Sequence, residues 1–231
     1  MTGPEVGTPA AAAAALLDMF RHAFDEVDSG DEWDQPAEVL LVSVEPIAPA
    51  DPEHPRMVPV MTSLSVMGNL EGLLNTPALE TDKALLLAAT LVSSAPREVA
   101  LEFAGLTEGH HVVAIAIMVE VWGIEAGDIT DDELIHHRLT EGRQLSEHPR
   151  AREGRMLVGL DYLGHLYRIM RKRGADHRCH DEWVALPGLA GPGTFDDMAD
   201  VDTLVSRPVF VGLGTLLSAL GHLTDTDGLG R

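Results

Sequence analysis

Over residues 9–27, Leu16, Leu17, Phe20, Phe24 and Val27 recur at helical spacing with Asp18, Arg21 and Asp25 opposite, which predicts an amphipathic helix. Thr8 suits its cap, and Pro9 suits the first helical position, where a missing N–H is no loss. Ser29-Gly30 ends it, and the acidic stretch Asp28–Gln35 reads as a solvated linker. Glu38–Glu45 (EVLLVSVE) is nearly continuous aliphatic and β-branched, the pattern of a well-buried strand. Met57–Val66 predicts a second strand, which Pro59 places at a sheet edge because proline cannot donate to a ladder. A helix is expected from Pro77 to Ser94, its run Ala84–Val92 apolar enough all round to be covered on both sides. Val99, Leu101 and Phe103 alternate with Glu98, Ala100 and Glu102, which reads as a half-buried strand. His111–Trp122 (HVVAIAIMVEVW) carries the strongest strand signal and belongs in mid-sheet.

The C-terminal half continues the alternation. Thr130 and Glu133 match a capping box and predict a short helix over residues 131–141. Arg155–Tyr162 and His165–Arg173 flank Leu163-Gly164, read as a two-residue hairpin turn that sets Leu160 opposite Tyr167 and Val158 opposite Ile169. Gly188–Gly193 is a loop, and residues 196–202 begin a weak helix. In the last helix Leu213, Leu216, Leu217, Leu220 and Leu223 form a stripe, against the lower propensity of Gly212 and Gly214. This order predicts an α+β fold, a mainly antiparallel sheet with helices packed on one face in two layers. Residues 1–35 form an N-terminal helix and acidic linker, and 36–231 a single α+β domain.

Charge changes the picture more than composition does. Against 16 Lys+Arg stand 37 Asp+Glu, for a net charge of −21. A surface this negative repels nucleic acid and anionic lipid over most of its area, so direct nucleic-acid binding is not expected. The distribution is uneven. Residues 1–53 hold twelve carboxylates and one basic residue, Arg21, whereas residues 138–178 hold ten basic side chains against five acids. The first segment suggests an acidic mimic of nucleic acid as one alternative function, and such runs are also simply solvated surface. The single cysteine, Cys179, excludes an internal disulfide. The Ala-rich run 10–15 lacks a basic start, and the apolar stretch Val112–Val119 falls well short of the roughly 20 residues of a membrane helix. A cytoplasmic location, with no membrane association, is therefore expected.

Candidate chemistry is sparse. Asp176-His177-Arg178-Cys179-His180-Asp181-Glu182 gathers legitimate transition-metal ligands, of which His177, Cys179 and His180 would be the core of a metal-dependent hydrolase. No second Cys or His pair stands at a known finger spacing, so an incidental polar loop explains the cluster as well. His110-His111 and His136-His137 read as surface histidines. Phosphate-binding loops, dinucleotide fingerprints, nucleophile elbows and zinc-protease motifs are absent from the sequence, and no cofactor is expected. Arg168, Arg171, Lys172 and Arg173 are candidates for binding an anion or a partner. Arg171 and Arg173 share a strand face with Tyr167 and Ile169, so their strand should run beyond the core or lie at the sheet edge, where charge blocks further pairing.

The chain uses 14 Arg against 2 Lys. The stretch His110–Trp122, the acidic helix after it and the hairpin Arg155–Gly174 (RMLVGLDYLGHLYRIMRKRG) resemble uncharacterised proteins from phages of actinobacteria over about residues 98–175. Those relatives place a His-Pro-x-Arg segment before the hairpin, from which His148-Pro149-Arg150 departs by one residue. The resemblance implies a phage origin and no activity. The expectation is thus a non-enzymatic accessory or protein-interaction protein acting on a host or viral protein. The alternatives are the hydrolase, the acidic mimic and a structural component of a virion.

Overall fold

A computed structural model describes residues 9–28, 33–47, 56–63, 80–104, 106, 111–123, 145–175, 178, 180–185 and 206–224. The elements in chain order are α1 (Pro9–Asp28), β1 (Glu38–Ile47), β2 (Arg56–Ser63), α2 (Thr81–Ser94), α3 (Arg97–Ala104), β3 (His111–Gly123), a 3-10 turn (Leu145–Glu147), β4 (Arg152–Asp161), β5 (His165–Lys172), β6 (His180–Ala185) and α4 (Ser206–Thr224). The six strands form one sheet in the order β2-β1-β3-β4-β5-β6, antiparallel at every pairing. This is the α+β class that the alternating pattern predicts, with β3 interior and the proline-bearing β2 at an edge.

Helices occupy both faces of the sheet, where the sequence pattern places them on one. The period of two sorts each strand's side chains between two apolar clusters. Val39 and Leu41 of β1, Ile115 and Ile117 of β3, Val158 and Leu160 of β4 and Leu166 of β5 join α2, α3 and α4. Leu40, Val42, Ala114, Ala116, Met118, Leu157, Tyr167 and Ile169 face α1, which contributes Ala13, Leu17, Phe20, Ala23 and Phe24. The helix that the sequence sets apart from the main domain therefore completes the second layer of its core. Small residues make this possible. A Cβ at Gly159 would stand 3.1 Å from Ala116 Cβ and 3.2 Å from the ring of Phe20. Phe20 settles over that shallow patch and meets Tyr167 edge-on, centroids 5.2 Å apart.

On the opposite face α2 and α4 press together at Gly212, where a Cβ would lie 2.8 Å from Leu85 Cβ. Glycine costs helix propensity there and in return lets the two axes approach. α2 is buried on one side only, through Ala84, Leu85, Ala88, Ala89 and Val92. Leu86, Leu87 and Leu91 are 37%, 40% and 45% exposed, so the expected cover on both sides is not found.

Three further expectations are corrected. Arg97–Ala104 is a helix and not a strand: it buries Ala100, Leu101 and Ala104, one turn apart, and leaves Val99 53% exposed. Arg, Glu, Ala and Leu are good helix formers, and the six-residue alternation of 98–103 is too short to outweigh them. The β4–β5 turn has three residues, Tyr162-Leu163-Gly164, with Gly164 at φ 81°, the left-handed position such loops require. Register consequently slips by one, pairing Leu160 with Leu166 and Leu157 with Ile169. Finally, β5 is interior, because β6 pairs along it from His165 to Met170. The segment HDEWVA forms this sixth strand and covers the edge as far as Met170, leaving Arg171 and Lys172 beyond its end. The predicted helix 131–141, the loop 188–193, the weak helix at 196–202, His110 and the pair His136-His137 lie outside the described residues.

Candidate functional site

Polar chemistry among the described residues gathers on the α1 face of the sheet, at three places. The first lies beyond the C-terminal end of α1, where the chain returns over the ends of β3, β4 and β5. Trp33 spreads its ring beneath two guanidinium groups, Arg155 at 5.0 Å and Arg173 at 5.2 Å from the ring centroid. Glu120 holds the segment down: its Oε2 accepts from Asp34 N at 2.8 Å and its Oε1 from Gln35 N at 3.1 Å. The same Oε1 accepts from Arg155 at 3.2 Å. Asp34 itself adopts φ 67°, a left-handed backbone that aspartate tolerates better than most residues. Arg155 is 1% exposed, and Glu120 and the indole face help to compensate its buried charge. Arg173 donates to the Glu153 carboxylate, and its backbone N–H donates to Glu153 O at 2.8 Å. That hydrogen bond, assisted by the charges of Glu153, Asp34 and Glu120 and opposed by desolvation, raises Arg173 further above its ordinary pKa.

Asp34, Glu120 and Glu153 each offer a carboxylate oxygen within 4.8 Å of the others, a spacing that a hard cation would accept. The Glu120 and Glu153 carboxylates are instead engaged by the linker amides, Arg155 and Arg173. Beside this cluster opens a cleft of about 230 Å³, lined by Val27, Gln35, Pro36, Ala37, Glu38, Met118, Val119, Glu120 and Arg155.

The second place is the β4–β5 turn. Asp161, 3% exposed, accepts from His165 Nδ1 at 2.7 Å and from the Tyr167 hydroxyl at 2.8 Å through Oδ2. Its Oδ1 accepts from the backbone N–H groups of Leu163 and His165, both at 2.9 Å. Burial, then the Asp161 charge, pushes the Tyr167 phenol well up, so it stays protonated and donates. A carboxylate that orients an imidazole can serve acid–base catalysis, yet all four bonds here stay within the hairpin and lock its turn.

The third place ties α1 to β6. Arg21 Nε lies 2.8 Å from both oxygens of Asp181, while its Nη1 donates to Asp18. Arg178 donates to Asp25 at 2.8 Å and approaches Asp181 at 3.6 Å. The hydrogen bond to Asp181 is the main cause raising the Arg21 pKa.

The candidate metal ligands fare differently. His177 and Cys179 lie outside the described residues, and His180 opens β6 opposite Met170. Their neighbour Asp181 is taken by Arg21 and Arg178. Of the basic quartet, Arg171 donates to Ala175 O at 2.8 Å and Arg173 to Glu153, while Arg168 stands opposite Glu182 in the ladder. Arg171 and Lys172 extend past the end of β6 but remain paired with β4. Sequence reading missed Trp33, Glu120, Glu153, Arg155 and the Asp161–His165–Tyr167 set. Only the last had a local signal, an aspartate and a histidine bracketing Tyr-Leu-Gly.

The chain is thus an α+β protein with a six-stranded antiparallel sheet between helices, and no helix among the described residues is long and apolar enough to cross a membrane. Compared with protein-family models, curated proteins and solved structures, it matches none of them.

Proposed function

We propose that the chain is a phage-encoded accessory protein that acts by binding another protein, host or viral, through the outer side of α2 and α3. The observation that carries this reading is the exposure of Leu86, Leu87 and Leu91 on one helix, at 37%, 40% and 45%. Leu87 and Leu91 are one turn apart and so adjoin, and α3 adds Val99. Leucines clustered in this way mark interaction surfaces more often than leucines scattered singly. The three polar sets are largely consumed by internal bonds, which favours binding over catalysis.

Charge selects the occupant. The same two helices and the residue before them carry exposed or half-exposed Glu80, Asp82, Glu98 and Glu102 against Lys83 and Arg97. Lys83 is paired with Glu80, and Arg97 donates to Leu223 O. A second copy would bring another net charge of −21 to this rim, so the fitting partner is a protein with an apolar patch edged by basic residues. The phage resemblance supports looking for that partner in an actinobacterial host or in the virus itself. The test compares wild type, Leu87→Ser/Leu91→Ser and a distant Arg21→Gln control in quantitative capture from host lysate, followed by rebinding of the purified partner. A basic protein that binds wild type and the control but not the leucine variant is expected. Equal binding by all three overturns the reading, as does a dimer of this chain that the leucine variant abolishes.

A further inference from the structure

We infer that the cleft at the C-terminal end of α1 binds a small organic cation with a short alkyl body. Its room, about 230 Å³, corresponds to roughly seven or eight water molecules at about 30 Å³ each, the size of a small amine. Val27, Pro36, Ala37, Met118 and Val119 supply apolar walls, while Glu38, Glu120, Gln35 and Arg155 supply the polar ones.

Two carboxylates against one guanidinium leave this lining with one uncompensated negative charge. The bonding pattern shows where that charge lies. Glu120 accepts from two linker amides and from Arg155, and Arg155 also stacks on Trp33. The carboxylate of Glu38, a half-buried residue on the same sheet face, has no hydrogen bond or ion pair among the described residues. A half-desolvated carboxylate beside apolar walls calls for a cationic donor with hydrocarbon attached. An anion would meet the Glu38 charge with no free cation beside it, since the guanidinium in the wall is already committed to Glu120. A bare metal ion would satisfy the charge and leave the apolar walls unused.

The experiment titrates the full chain with n-butylammonium chloride, following the Met118 methyl resonance by NMR, at constant ionic strength. Butan-1-ol and butyrate serve as the neutral and anionic matches. Saturable shifts with butylammonium are expected, with butanol about tenfold weaker or more and butyrate silent. Glu38→Gln should weaken butylammonium about tenfold and leave butanol unchanged. Val27→Phe, which fills the cleft from the end of α1, should abolish every shift, and it decides the matter should Glu38→Gln fail to fold. Absence of saturation below about 100 mM butylammonium, butyrate binding of equal strength, or shifts that persist in Val27→Phe would each overturn the assignment. Because α2 and α3 take no part, the outcome is independent of partner binding at those helices.

Discussion

The two faces of the sheet are built on different terms. On one, α2, α3 and α4 cover a large cluster of aliphatic side chains drawn from four strands. On the other, among the described residues, α1 covers a smaller cluster, and the polar constellations lie on that face or at its margins. A thick apolar layer stabilises by area and excludes water, so it has little room for charge. A layer one helix wide leaves its ends open, and the polar networks and the cleft occupy those ends. Stability and chemistry are thus divided between the faces, and the division can be attacked from either side.

The largest effects are expected from truncating each apolar layer in turn. Leu213 is 0% exposed in α4 and Phe20 is 0% exposed in α1. Leu213→Ala should cost about 2–5 kcal/mol and Phe20→Ala about 3–5 kcal/mol in denaturant unfolding. Hydrogen exchange then separates them. Leu213→Ala should lower protection throughout the sheet, whereas Phe20→Ala should release α1 amides first and leave β3 protected. Equal loss of β3 protection in both would mean that the layers melt as one unit. Next in size is the helix contact at Gly212. Gly212→Ala should destabilise by about 1–3 kcal/mol through overpacking on Leu85, less the gain in helix propensity. Gly221→Ala, with nothing within 4 Å of its Cβ, should instead stabilise by about 0.5–1 kcal/mol. The same sign for both would remove close approach as the reason for Gly212.

The polar face predicts a pH dependence that the apolar face does not. Tyr167 has its pKa raised in the folded state by burial and by Asp161, so folding favours the protonated phenol. A raised folded pKa gives stability that is complete below the unfolded value, about 10, and is lost as pH climbs above it. Wild type should therefore lose up to about 1.4 kcal/mol more per pH unit above about pH 10 than Tyr167→Phe does. Parallel pH profiles for the two proteins would contradict the buried Tyr167–Asp161 bond.

One polar atom sits on the wrong face. Ser43 Oγ is buried without a hydrogen-bond partner among the described residues, two residues along β1 from Leu41, where the strand's register with β3 shifts. Removing an unsatisfied buried hydroxyl should help, so Ser43→Ala is expected to stabilise by about 1 kcal/mol. A loss of stability on chemical unfolding would show that the hydroxyl is serving a function in the fold.

How much of this was readable follows from the range of the interactions. β1, β2, β3 and α4 declared themselves because long runs or a well-placed Pro59 carry their own signal. α3 was ambiguous because Val99-Ala100-Leu101 fits both periods over so short a stretch, and tertiary packing chose the helix. β6 was hidden by its polar first half, and its absence from the reading turned β5 into a false edge. The hairpin was found but slipped by one residue, because Gly164 takes the left-handed position of a three-residue loop. The polar site was not readable at all. Glu120 meets Asp34 across 86 positions and Arg155 across 35, pairings that only the sheet order creates. Arg171 and Arg173 were placed on the correct face beside Tyr167, while their partners Ala175, Glu153 and Trp33 depended on the fold.

The smallest predicted effect bears on what holds the thin layer in place. Arg21 and Asp181 join α1 to β6 with Nε 2.8 Å from Oδ1, and their side chains are 34% and 24% exposed. Water and salt reach such a pair, and ordering two side chains offsets much of the attraction. Phe20 and Phe24, in contrast, are fully buried in the apolar cluster between α1 and the sheet. If the aromatics rather than the charges hold α1, a double-mutant cycle with Arg21→Met and Asp181→Asn should give a coupling of about 0.2–1 kcal/mol. That coupling should fall further in 1 M salt, where the screening length is about 3 Å. Competing partners Asp18 and Arg178 remain in each single variant and lower the apparent coupling. A value above about 2 kcal/mol, insensitive to salt, would place the main hold on α1 in the ion pair and reverse the contrast between the faces.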